Sequence, residues 1–121
     1  MAKLPRRNYP FSEDVQKRVR RITAHNQMDA AKEFRLLFDR LERYSEFDMK
    51  SGSNPRDLRR LELDKPFGMR YTVLEFLATG IAIGEFRNKQ FSKETLININ
   101  RFSPRIRKKI INIAKANGFK I

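Results

Sequence analysis

Along most of this chain apolar residues recur every three or four positions, the spacing of helices that turn one face to a core. Val15, Val19 and Ile22 form the first such stripe. Ser12 precedes it as an N-cap, and Glu13 and Asp14 occupy the first turn, where the helix dipole favours carboxylates, so a helix is predicted over about 13–24. Its other face carries Lys17, Arg18 and Arg21, with Arg20 at the flank. After a break at His25-Asn26-Gln27, Asp29 is placed to cap a longer helix reaching about Phe47. Ala30, Phe34, Leu37, Leu41 and Tyr44 make its core stripe, widened by Leu36 and Phe38, while Arg35, Asp39 and Arg43 fall four apart on an outward face.

Met49 to Asn54 reads as a loop that ends in a start signal, Asn54 as N-cap and Pro55 at the first helical position. A short helix over 55–62, with Leu58 and Leu61 inward, and a break at Asp64-Lys65-Pro66-Phe67-Gly68 are predicted from it. Met69 to Arg87 is apolar almost all round, the pattern of a central helix. Each glycine costs a helix interior about 1 kcal/mol relative to Ala. Gly80 and Gly84 therefore predict an end or kink near Gly80. Ser92 caps a short helix from Lys93 to about Asn100, and Ser103-Pro104 opens a last one that closes at Asn117-Gly118. The prediction is an all-α fold: a compact bundle of five to six helices over residues 12–121, a basic extended arm over 1–11, and a helix-turn-helix-like C-terminal pair.

Charge adds a partner class to this outline. Across 121 residues, 27 Lys and Arg stand against 14 Asp and Glu, a net +13, while 40% apolar residues suffice for one core. Most of the excess lies at the two ends, a net +5 over residues 1–25 and a net +7 over 92–121. A compact domain so charged repels itself unless it meets a polyanion. Arg6 and Arg7 lie in a proline-punctuated arm of the kind that follows phosphates or enters a minor groove. On the last helix Ile106, Ile110, Ile113 and Ala114 share one arc, and Arg105, Lys108, Lys109, Asn112 and Lys115 cover the other. The candidate nucleic-acid-binding residues are thus Arg6, Arg7, Lys17, Arg18, Arg21, Arg101, Arg105, Lys108, Lys109, Asn112 and Lys115. Arg101, Arg105, Lys108 and Asn112 are the best placed to reach base edges. Tyr9, Phe91 and Phe102 flank basic segments and are the candidate base-stacking aromatics, whereas Phe34, Phe38, Tyr44 and Phe76 sit at core spacing.

The run Phe102-Ser103-Pro104-Arg105-Ile106-Arg107-Lys108-Lys109-Ile110, with Ala114 and Asn117-Gly118-Phe119, resembles the third headpiece helix of LacI-type repressors, in which a capping Ser precedes an Arg-rich helix closed by Gly and an aromatic. The Ala-Gly-Val and Thr-Val-Ser steps of that family's reading helix are missing between Ser92 and Arg101, so the resemblance rests on one helix.

The inventory narrows the chemistry. With no cysteine there is no disulfide, thiolate zinc site, iron-sulfur cluster or thiol nucleophile, which suits a reducing compartment. His25, the single histidine, has no ligand spacing around it and is expected to be an ordinary solvent-facing or capping residue. No glycine-rich phosphate loop occurs, and the N-terminus lacks the apolar run of a secretory signal. Glu42 and Glu46 stand four apart, and Asp48-Met49-Lys50 has the outline of a nuclease D-x-K, but neither has the expected context, a strand or an unneutralised carboxylate pair. No enzymatic activity, cofactor or metal is expected. The expected function is nucleic-acid binding, duplex DNA favoured over structured RNA, by a cytoplasmic or nucleoid-associated regulatory or assembly factor. The alternative is a protein-interaction module: an accessory subunit of a nucleoprotein assembly, or a phage- or plasmid-encoded inhibitor that binds an acidic protein surface. Self-association is open to it through Leu96, Ile97 and Ile99 or the glycine-flanked segment.

Overall fold

The computed structural model describes residues 11–25, 27–50 and 69–121. Within them the chain forms five α-helices, α1 (Glu13–His25), α2 (Gln27–Lys50), α3 (Met69–Ala82), α4 (Lys93–Asn100) and α5 (Pro104–Ala116), with a single 3-10 turn, Arg87–Lys89, before α4. No strand occurs among the described residues. The arm up to residue 10, the helix predicted over 55–62 and the break at 64–68 lie outside them.

Helix α3 is the hub. It packs against α1, α2 and α5, and α2 in turn packs against α1 and α5. Its low amphipathicity follows from this position: Met69, Val73, Leu74, Phe76 and Leu77 are all buried, because neighbours cover the helix on several sides. Val15 and Val19 from α1, Leu37 and Leu41 from α2, and Ile106, Ile110 and Ile113 from α5 complete the core around it. A chain of aromatic rings extends that core. Phe34 stacks on Phe76 at 4.8 Å between centroids, and Phe86 meets Phe76 edge-on at 5.4 Å and Phe91 at 5.0 Å. Phe91 in turn meets Phe119 at 5.0 Å. Rings at these separations add to the area they bury, by about 0.5–1.5 kcal/mol a pair.

Two predicted boundaries move. Helix α2 begins at Gln27, so Asp29 lies inside its first turn rather than capping it, and there it still favours the dipole. The same helix runs past Phe47 to Lys50, taking in the first two residues of the predicted loop, because Ser45 and Asp48 are buried on its inner face. Helix α3 ends at Ala82, two residues past Gly80, as the two glycines predict. Gly80 itself has no room for a side chain: a Cβ there would lie 2.2 Å from Cδ2 of Phe86, whose ring occupies the space. The chain returns that ring by reversing after the helix. Gly84 takes a left-handed φ of 80°, and the Phe86 N–H donates to the Gly80 carbonyl at 3.0 Å.

The C-terminal helices follow their caps. Ser92 Oγ accepts from the Thr95 N–H at 3.3 Å and Ser103 Oγ from the Ile106 N–H at 3.4 Å, with Pro104 opening α5. The turn between them is the three residues 101–103. It is held to α2 by Phe102, whose ring lies 5.5 Å from Phe38, and by the Ser103 N–H, which donates to Ser45 Oγ at 2.7 Å.

Candidate nucleic-acid interface

On α5 the buried residues Ile106, Ile110, Ile113 and Ala114 define the inner face. Arg105, Lys108, Asn112 and Lys115 are all exposed, and at 100° per residue they fall within one narrow arc opposite that face. Three cations and an amide thus run along about two and a half turns of solvent-facing helix, a row able to follow phosphates. Lys109 is half-buried at the edge of this row, and Arg107 is half-buried on another side. Arg101 is exposed at the C-cap of α4, on the turn that leads into α5.

The two basic ends of the chain meet. The Phe11 N–H donates to Asn117 Oδ1 at 2.8 Å, while the Asn117 side-chain amide donates to the Ile113 carbonyl, also at 2.8 Å. Asn117 therefore closes α5 and at the same time holds the Phe11 backbone to the end of that helix. Phe11 itself packs against the core. On α1, Lys17 and Arg21 are exposed and lie one turn apart on the outward face. Arg6 and Arg7 lie outside the described residues, as do Tyr9 and the side chain of His25.

Arg18 stands apart from the other candidates. Its Nε lies 2.5 Å from Glu75 Oε2 and its Nη2 3.6 Å from Glu33 Oε1, so its guanidinium is directed into the bundle. Glu75, in the middle of α3, has a side chain only 1% exposed. Burial raises its pKa above the usual carboxylate value, Arg18 pulling it back down and Glu33 adding to the rise. Tyr71, one turn earlier, is also raised, by burial first and by Glu75 second. In the sequence Glu75 is the one charged residue of the apolar run from Tyr71 to Gly84. A lone carboxylate in such a run is the signal that a cation from another helix must reach it.

Other sequence readings find different positions. Phe91 and Phe102 are 8% and 7% exposed, inside the aromatic core, and so are not available to stack on bases. Of the residues offered for self-association, Ile99 is fully buried, Leu96 is half-buried and Gly80 is covered by Phe86, while Ile97 is exposed, as are Ala82 and Gly84 of the glycine-flanked segment. From Glu85 onward four exposed cations were missed: Arg87, Lys89, Lys93 and Lys120. Lys89 adopts a left-handed φ of 53°, its carbonyl accepts from the Lys120 N–H at 2.9 Å, and its ammonium end lies against the open face of Gly118. Lys89 and Lys120 join the C-terminal end of α5, where the helix dipole is negative and cations are favoured. Their signal in sequence was the count from Glu85 onward, ten cations against two carboxylates.

Asp48 is buried within α2, while Glu42 and Glu46 are exposed. Among the described residues no group of three or more Asp, Glu or His side chains is placed to hold a metal ion, and no helix is long and apolar enough to cross a membrane. No family model, curated protein or solved structure matches the chain.

Proposed function

We propose that the protein binds nucleic acid, duplex DNA in preference to structured RNA, as a regulatory or assembly factor without catalysis, and that the outward row Arg105, Lys108, Asn112 and Lys115 is its principal contact. The observation that carries this reading is the convergence of the chain's two basic ends at the Phe11–Asn117 hydrogen bond. Arg7 precedes Phe11 by four residues, so chain length alone keeps it within about 14 Å of that anchor. The arm and α5 then act on one stretch of backbone, with the three-residue turn and α5 serving as a helix-turn-helix type unit. Lys17, Arg21, Arg101 and Lys109 contribute at the margins, and Lys89 and Lys120 extend the cationic surface past the end of α5. Arg18 serves the bundle through Glu75 rather than the ligand.

The test is fluorescence anisotropy of labelled duplex DNA, single-stranded DNA and hairpin RNA over a salt series. Duplex affinity should fall linearly in log K against log salt, with a slope near 0.9 per phosphate neutralised. Arg105→Ala/Lys108→Ala/Lys115→Ala should reduce that slope by about 2–3. An unchanged slope moves the site away from α5, and weak nonselective binding by the native protein removes the reading in favour of a protein partner.

A further inference from the structure

Helix α2 has an outer face whose chemistry reverses along its length. Its buried positions, Ala30, Leu37, Leu41, Ser45 and Asp48, lie on one side. Diametrically opposite, at alternating steps of four and three, stand Met28, Lys32, Arg35, Asp39, Glu42 and Glu46, every one exposed. This is the 3.5-residue spacing that keeps one helix in register with a second along a seam. Its N-terminal charges, Lys32 and Arg35, are cationic and its C-terminal ones, Asp39, Glu42 and Glu46, anionic, with exposed Arg43 at the flank of the row. Apolar side chains accompany it: Met28 is 68% exposed and Leu36 56%, and with Ala31 and the stems of Lys32 and Arg35 they border a shallow apolar depression, while Phe47 is 44% exposed toward the other end.

We infer that this face is an interface with a second copy of the chain, in which two α2 helices pair antiparallel about a two-fold axis near residue 37. The charge order selects the occupant and the direction. Antiparallel pairing about that point sets Lys32 against Glu42 of the other copy and Arg35 against Asp39, and the two-fold repeats both contacts. Parallel pairing would set each of these charges against its own kind. A two-fold interface must be complementary to itself, and a helix that is positive in one half and negative in the other meets that condition in the antiparallel sense alone. Leu36 lies beside the axis, so the two copies of it meet there. The seam from Met28 to Glu46 spans about 27 Å of helix. Because its pairs are exposed, salt weakens it.

The experiment is sedimentation velocity of nucleic-acid-free protein at a series of concentrations up to about 200 µM in low salt, where exposed ion pairs are least screened. The native protein should show a reversible dimer. Two variants are then compared, Lys32→Glu/Arg35→Glu and Asp39→Lys/Glu42→Lys, each verified as helical by circular dichroism. Each alone faces like charges across the axis and should dissociate at least tenfold more readily. Mixed in equal amounts they face opposite charges and should recover a heterodimer of native strength, a result that misfolded variants cannot give. A native protein that stays monomeric throughout, variants that dimerise as the native protein does, or a mixture no stronger than either variant alone each overturns the inference. None of these outcomes bears on DNA affinity of the monomer, which the α5 substitutions test separately.

Discussion

Replacing Arg18 by methionine keeps the apolar stem and removes the cation that faces Glu75. In the native protein the Glu75 carboxylate is 1% exposed and has Arg18 Nε at 2.5 Å, whereas Arg18 itself is 41% exposed. Without that cation the carboxylate is left charged in the bundle near Glu33, or it takes up a proton. Proton uptake sets the ceiling. From an ordinary value of 4.5, holding the group neutral at pH 7.5 costs 3 units, about 4.1 kcal/mol at 1.36 per unit. Breaking a buried pair by removing one partner costs about 3–5 kcal/mol, and the exposure of Arg18 discounts that figure, so a loss of about 2–3 kcal/mol at pH 7.5 is expected. The sign with pH follows from the raised pKa. A carboxyl that binds its proton more tightly folded than unfolded contributes stability fully present below the unfolded value and lost as pH rises through the folded one. The deficit of Arg18→Met should therefore shrink on going from pH 7.5 to 4.5, and Glu75→Gln added to it should restore most of the stability at pH 7.5. Urea unfolding followed by circular dichroism at the two pH values measures both. Equal deficits at the two pH values, or a deficit under about 0.5 kcal/mol at pH 7.5, the size of a surface substitution, would refute the reasoning.

The remaining substitutions probe packing and anchoring. Gly80→Ala, which by helix propensity should gain about 1 kcal/mol, should instead lose about 1–3, because the new methyl meets the buried Phe86 ring at 2.2 Å and Phe34 at 3.0 Å; the urea midpoint decides, and an increase would show that the ring moves aside freely. Asn117→Ala removes the acceptor for the Phe11 N–H and should cost about 1 kcal/mol, with faster hydrogen exchange at the Phe11 amide and a weaker contribution of the arm to DNA affinity; unchanged exchange at that amide would refute the anchoring role. Lys89→Gly relieves a left-handed non-glycine residue and should raise stability by about 1 kcal/mol in thermal or urea unfolding, while lowering the salt slope for DNA by less than the α5 triple substitution does; lower stability would mean that the Lys89 side chain holds the turn.

How much of this was legible in the sequence depends on the range of the forces involved. The helices, their polar starts at Ser92 and Ser103, the stop at Asn117-Gly118 and the outward row of α5 were all readable, because caps, periodicity and turn residues act within one or two turns of chain. The net charge and its placement at the two ends were equally plain, since they need no geometry. What depended on contacts between distant residues was not readable. The ring of Phe86 fills the space beside Gly80, α2 extends to Lys50 because its inner face stays covered, and Phe91 and Phe102 are withdrawn from solvent because other rings close over them. Arg18 looked like one more surface cation until α3 brought Glu75 to it, and the two basic ends are neighbours only because Asn117 reaches the Phe11 backbone across 106 residues of sequence. Local pattern alone determined which segments are helices and which faces are apolar or charged. Only the tertiary structure decided which apolar faces are used up, which charges are spent inside, and which remain outward to meet a partner, because burial and Coulomb pairing belong to positions in space and not to positions along the chain.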